Sequence, residues 1–289
     1  MIIKEIQVKD IITKSNLPAC DYSINPYTGC KHACKYCYAC FMKRFTNHSE
    51  DWGDFIDVKY WQPIKSLKRY KDKELFIGSV TDPYQPVEEK YKRTRAILEQ
   101  LKGSDAKLSI ATKSDLILRD LELIKTFQNA RISWSINTLD ETFRSDMDKG
   151  VSIERRLNAM KVFHDAGVRT TCFISPVFPE LTDVNIIIER VKSICNLIWL
   201  ENLNLRGAFK PVVMKYIRTE YPQLLPLYDE IYNKGNDAYW QALDSELRAF
   251  AANQGLEYKT NDDTFQKPFE APPVIVNYFY HSKIKKTAK

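Results

Sequence analysis

Glycine is scarce in this chain, nine residues in 289, under half the usual share of roughly 7%. No two glycines stand within three positions of each other. That excludes both the dinucleotide fingerprint and the P-loop. Histidine is scarcer, with four residues and no HExxH, and there is no GxSxG. Zincin-type proteases and nucleophile-elbow hydrolases are excluded with them. No apolar run approaches the roughly 18 residues of a membrane span. The opening MIIKEIQVKD lacks the apolar core and small-residue cleavage site of a secretory leader. A cytoplasmic protein without membrane contact is expected. What is present is a globular composition, 44% hydrophobic and 28% charged, long enough for one large domain or two ordinary ones. The net charge of +6, owed partly to the tail KIKKTAK, permits an acidic partner without identifying one.

Seven cysteines are an odd number, and four of them (Cys30, Cys34, Cys37 and Cys40) fall within eleven positions. That is a poor disulfide framework and a good metal site for a reducing compartment. Cys30, Cys34 and Cys37 have CxxxCxxC spacing, and thiolates are soft ligands suited to iron–sulfur clusters or zinc. Three cysteines on one loop can hold three irons of a 4Fe–4S cluster and leave the fourth open to a small molecule. Cys172 and Cys195 lie in apolar patterns and read as buried core thiols.

Short β-type runs alternate with helical ones. The strands are expected near 21–27 and at ELFIGSVT (74–81), KLSIATK (107–113), RISWSIN (131–137), VRTTCFIS (168–175) and IWLENLNL (198–205). Between them, 86–102, 115–127, 152–167 and 183–195 have helical spacing. Six strand–helix units of this length imply an α/β fold, a partial (β/α)6 barrel of parallel strands over residues 1–206. Residues 207–289, rich in aromatics, read as a helical C-terminal extension packed on the barrel. In RISWSIN, Ile132, Trp134 and Ile136 share the face expected under the helices. Ser133, Ser135 and Asn137 would point into the barrel toward its C-terminal mouth.

CxxxCxΦC, with Tyr36 before the last cysteine, is the signature of the radical S-adenosylmethionine enzymes. NPYTGCKHACKYCYA (25–39), GSVTDPYQPVE (78–88), ATKSDLILRD (111–120), SWSINT (133–138) and SIERRLNAM (152–160) resemble, in order, the branch related to spore photoproduct lyase. The resemblance implies a 4Fe–4S cluster on Cys30, Cys34 and Cys37, and S-adenosylmethionine chelated to its open iron. Reductive cleavage of that cofactor would give methionine and a 5′-deoxyadenosyl radical, which abstracts hydrogen from a substrate. It also implies a one-electron donor such as a flavodoxin or ferredoxin, and a nucleic acid or nucleotide as substrate.

The same resemblance suggests residue roles. Tyr36 would lean on the adenine. GSVTD stands where many relatives carry Gly-Gly-Glu. Thr81, and with it Ser79 on the same strand face, would contact the cofactor, while Asp82 would follow them or cap the turn before Pro83. Lys113 would receive the cofactor carboxylate, for which a shielded pocket needs a cationic donor. Ser135 matches a cofactor-touching position, and Arg156 would pair with the carboxylate or with neighbouring acids. Other readings are the same chemistry on a metabolite or peptide, and a zinc module using Cys40 as fourth thiolate. The named relative returns hydrogen from a cysteine on its second strand. The matching FIGSVTD (76–82) has none, so lesion repair of that kind is not expected.

Overall fold

The structure is a computed structural model that describes residues 1–17, 20–260 and 275–279. It opens with β1 (Ile2–Gln7), β2 (Ile12–Lys14), β3 (Tyr22–Ile24), β4 (Tyr27–Thr28) and β5 (Phe55–Tyr60). Strands and helices then alternate. β6 (Glu74–Ile77) leads to α1 (Glu88–Tyr91) and α2 (Arg93–Leu101), and β7 (Lys107–Thr112) leads to α3 (Leu121–Ile124). β8 (Asn129–Ser135) precedes α4 (Glu141–Met147) and α5 (Ile153–Asp165), and β9 (Arg169–Val177) precedes α6 (Val184–Val191). After β10 (Leu197–Asn202) come α7 (Phe209–Glu220), α8 (Leu225–Asp229), α9 (Ala238–Asn253), β11 (Glu257–Thr260) and β12 (Ile275–Phe279).

One nine-stranded sheet runs in the order β11-β12-β10-β9-β8-β7-β6-β3-β2. Its pairings are parallel except β2 with β3. The six central strands, β3 and β6 to β10, form the partial barrel that the alternation implies. The sheet continues past β10 through β12 and β11, and a small sheet β1-β5-β4 stands beside it. Side-chain alternation decides the two faces. Ile132, Trp134, Cys172, Ile174, Ile198 and Leu200 are buried, and Trp134 meets Phe163 of α5 at 5.3 Å. Each such large side chain contributes about 1.5–3 kcal/mol of transfer free energy. The opposite face carries the half-buried Phe76, Ser133, Phe173, Ser175, Trp199 and Glu201.

Capping fixes several helix starts. The Asp140 carboxylate accepts from the Thr142 and Phe143 N–H groups, and Asp183 accepts from Ile186 N–H. Three expected elements differ. The strand expected over 74–81 stops at Ile77, because the chain turns at Gly78 (φ +99°), so Ser79 and Thr81 lie in a loop. The helix expected over 86–102 breaks at Lys92, where the buried Glu88 carboxylate accepts from Thr94 N–H at 2.9 Å and caps α2. The helix expected over 115–127 is a 3-10 turn followed by the short α3. Pro-rich residues 267–273 lie outside the described residues.

Candidate cluster and cofactor site

The cysteine loop leaves β4 and runs into a 3-10 helix at Tyr38–Phe45. Its turns are closed by Ala33 N–H to Cys30 O (3.2 Å), Cys37 N–H to Cys34 O (3.1 Å) and Cys40 N–H to Cys37 O (3.4 Å). Two loops at the C-terminal ends of the strands pin it. After β6, the Thr81 hydroxyl donates to Gly29 O at 2.7 Å. Gln85 accepts from Lys31 N–H at 2.8 Å and donates to Gly29 O at 3.2 Å. At the end of α4, Met147 O accepts from Lys35 N–H at 2.9 Å, and in the loop that follows Lys149 N–H donates to His32 O at 2.7 Å.

Burial raises all three thiol pKa values and pushes Cys30 up to about 12. The thiols also raise one another's pKa, Cys37 acting on Cys30 and both on Cys34. Opposing this, the Asp82 and His32 N–H groups lean on the Cys30 sulfur and the Ala39 N–H on Cys37. The Lys113 ammonium favours the thiolates of Cys34 and Cys37. N–H···S bonds and a nearby cation are what metal-bound thiolates need. Among the described residues, no three His, Cys, Asp or Glu side chains converge as one metal ion would require. A cluster offers a separate iron to each thiolate, so this donor set suits a cluster better than a lone zinc. Cys40 is half-buried on the following 3-10 helix, where its pKa is raised by burial and lowered by its own N–H and that of Phe41.

The structure brings Tyr36, Lys113, Ser135 and Arg156 together behind this loop. Lys113 Nζ stands 5.7 Å over the buried Tyr36 ring. The Tyr36 hydroxyl donates to Asp148 at 3.3 Å. Arg156 is buried and donates to Asp148 at 2.6 Å, to Ser135 O at 3.1 Å and to Val151 O at 2.9 Å. The Arg156 guanidinium thus pairs with a neighbouring acid. A Cβ on Gly150 would lie 2.6 Å from Arg156 Nη2 and 2.9 Å from Asp148 Oδ1, so glycine makes room for the pair. Burial opposes ionisation of Asp148, but Arg156 and Lys113 outweigh it and hold the carboxyl below its ordinary range.

Asp82 ties three elements together. Its carboxylate accepts from the Thr112 hydroxyl and Lys113 N–H, each at 2.7 Å, and pairs with His32 at 3.0 Å. Burial opposes its ionisation, yet those partners lower its pKa to about 2. The Ser79 hydroxyl accepts from Asn25 at 2.9 Å, and the Ser79 carbonyl accepts from the Tyr38 hydroxyl. Sequence reasoning missed Asp148; its signal is the Asp-Lys-Gly turn before the α5 cap. It also missed Glu201, a carboxylate on the open face that accepts from Ser175 at 2.9 Å. Glu201 lies at a register shift between β9 and β10, a feature that re-aims side chains near sites. Cys172 and Cys195 are buried, as expected of core thiols, and Cys172 lies on the helix side of β9.

A parallel open barrel with a three-cysteine loop at its mouth, beside a lysine and a buried tyrosine, defines the radical S-adenosylmethionine class of enzyme. The Radical SAM superfamily model matches residues 24–188, and the chain belongs to that superfamily. An uncharacterized protein of Methanocaldococcus jannaschii is 37% identical over 235 residues, 80% of this chain and 87% of its own. Spore photoproduct lyase complexed with dinucleoside spore photoproduct shares the fold at TM-score 0.63 and 16% identity, over 96% of this chain and 82% of that one. Streptococcus suis SuiB bound to S-adenosylmethionine does so at TM-score 0.57 and 14% identity, over 90% of this chain and 50% of that one. The chain is therefore an enzyme of radical S-adenosylmethionine chemistry, a class that uses an iron–sulfur cluster and a reductant. No helix among the described residues is long and apolar enough to cross a membrane.

Proposed function

We propose that Cys30, Cys34 and Cys37 hold a 4Fe–4S cluster whose fourth iron takes S-adenosylmethionine, and that the substrate is a nucleic acid or nucleotide. When bound, these groups supply one-electron cleavage of the sulfonium and the radical that takes hydrogen from the substrate. The protein supplies orientation and shielding. Lys113 offers its ammonium to the cofactor carboxylate, with its backbone fixed by Asp82. Tyr36 offers a ring held edge-on to Phe178 and fixed at its hydroxyl by Asp148. Ser135 stands at the mouth, and Thr81 and Ser79 border the cysteine loop. Arg156 acts through Asp148 as a positioning residue. Cys40 stays outside the ligand set, and an acidic one-electron carrier of the flavodoxin or ferredoxin kind supplies the electron. Seven free thiols fit a reducing, cytoplasmic compartment.

The observation that carries the reading is the cysteine loop pinned at the strand ends with Lys113 facing Tyr36 and two of its sulfurs. The nucleic-acid substrate is supported by the dinucleoside in the lyase complex and by the half-buried aromatics Phe76, Phe173 and Trp199 on the open face, which suit base stacking. A peptide is the second reading, favoured by Glu201, whose carboxylate repels phosphate, and by the SuiB complex with precursor peptide SuiA. Anaerobic reconstitution with iron and sulfide tests the metal assignment. Brown protein with about four irons per chain is expected. Colourless protein that takes zinc instead would end the reading.

A further inference from the structure

The 3-10 helix that follows Cys37 turns only Ala39 fully inward. Tyr38, Phe41 and Phe45, at intervals of three and four residues, stand on the surface, and the two phenylalanines are 41% and 66% exposed. Adjacent large apolar rings left in water mark a surface that meets another molecule. The two rings lie edge-on, with centroids 6.4 Å apart at 87°. The Arg44 guanidinium lies over both, 5.4 Å from the Phe41 centroid and 4.6 Å from that of Phe45. Among the described residues it meets no carboxylate, so its N–H edge is left for an anion. Lys43, by contrast, is held by Ser49 O at 3.0 Å and by Asp51 at 3.6 Å. From Gly29 to Ser49 the chain carries four lysines and arginines and no aspartate or glutamate. The helix begins at the barrel mouth, where the Tyr38 hydroxyl donates to the Ser79 carbonyl in the loop after β6.

We infer that Phe41 and Phe45 form a stacking platform for unpaired bases of a single-stranded nucleic acid, with Arg44 holding a backbone phosphate, and that the platform grips the strand beside the nucleotide that enters the mouth. This rests on the nucleic-acid reading of the substrate and narrows it from a free nucleotide to a strand. Flat ring faces and a cation are the two features by which proteins hold single strands, because every base has a π face and every nucleotide a phosphate. In a duplex the base faces are covered by their neighbours, and exposing one costs unstacking. The platform therefore favours an unpaired strand.

The test is anaerobic fluorescence anisotropy of the reconstituted holoprotein with a short, labelled, mixed-sequence DNA strand. The wild type should bind the strand more tightly than the matching duplex. Phe45→Ala should weaken strand binding about 5- to 150-fold, the worth of one stacked base. Phe41→Ala with Phe45→Ala should weaken it further, with iron content and melting temperature as controls on the fold. Arg44→Gln should flatten the dependence of log affinity on log salt by about 0.7, the share of one phosphate on a single strand. An unchanged slope overturns the role of Arg44. Unchanged strand affinity in the double variant overturns the inference and leaves the nucleic-acid reading standing. A double variant that keeps its strand affinity but is no longer reduced by flodoxin would give the rings to a protein carrier, and overturns it too. A wild-type protein that binds no strand overturns the nucleic-acid reading itself, and the platform with it.

Discussion

The Lys113 ammonium acts on the Tyr36 ring, the Cys34 and Cys37 sulfurs and the Asp148 carboxylate at once. Lys113→Ala removes a cation and no iron ligand. S-adenosylmethionine affinity should fall roughly 10- to 150-fold, the equivalent of a charge-assisted hydrogen bond of about 1.5–3 kcal/mol. Anaerobic calorimetry checks this, with iron content as control, and unchanged affinity removes Lys113 from the site. Glu201 gives a pH prediction. Burial raises its pKa, opposed by bonds from Ser175 and Trp199. The folded chain then holds a proton that the unfolded chain has released. Stability owed to Glu201 is present below its ordinary carboxyl range and is lost as pH rises through the raised value. Urea midpoints should decline over that window in the wild type and decline less in Glu201→Gln. Equal slopes would show that Glu201 is not the group responsible. At this scale the candidates Cys30, Cys34, Cys37 and Lys113 stand out in the sequence, because spacing and charge are local properties. Asp148 does not, because it acquires its meaning from Tyr36, 112 residues away.

Among elements, the contact between α5 and the α4–α5 loop carries the support for Tyr36. Arg156 and Asp148 are both buried, and their bidentate geometry includes a 2.6 Å bond. Arg156→Leu leaves the Asp148 carboxylate buried without its partner, a defect that typically costs about 3–5 kcal/mol. Chemical denaturation should show that loss. Arg156→Leu with Asp148→Leu should recover much of it, since the lone charge is then gone. A double variant no more stable than the single one would mean that the pair is not what holds these elements together. The strand faces were legible: the alternation in RISWSIN places Ile132, Trp134 and Ile136 in the core, as the structure does. Element ends were less so. The run ELFIGSVT has strand-like composition throughout, yet turns at Gly78, and the α1–α2 break depends on Glu88 reaching back to cap α2. The first depends on how closely Pro83 and Ala111 O approach Gly78, and the second on a side chain folding back six residues, a contact that helical periodicity does not signal.

For the molecule as a whole, the six-unit parallel barrel was readable from the repeat of strand and helix, whereas β11 and β12 were not, because they enlarge the sheet after three intervening helices. The shared fold with spore photoproduct lyase does not carry that enzyme's reaction with it. Residues 76–82 contain no cysteine, and Cys172 is buried on the helix side of β9, away from the open face. Reduced protein with S-adenosylmethionine is therefore expected not to restore two thymines efficiently in DNA containing the spore photoproduct. Efficient repair without abortive adducts would contradict this. The central claim is that three thiolates hold a cluster able to cleave S-adenosylmethionine reductively. It is tested most directly by measuring 5′-deoxyadenosine released from anaerobically reconstituted protein given dithionite and S-adenosylmethionine. Slow release matched by methionine, absent in Cys34→Ala, is the expected result. No release from protein carrying its full complement of iron and sulfide would contradict the claim.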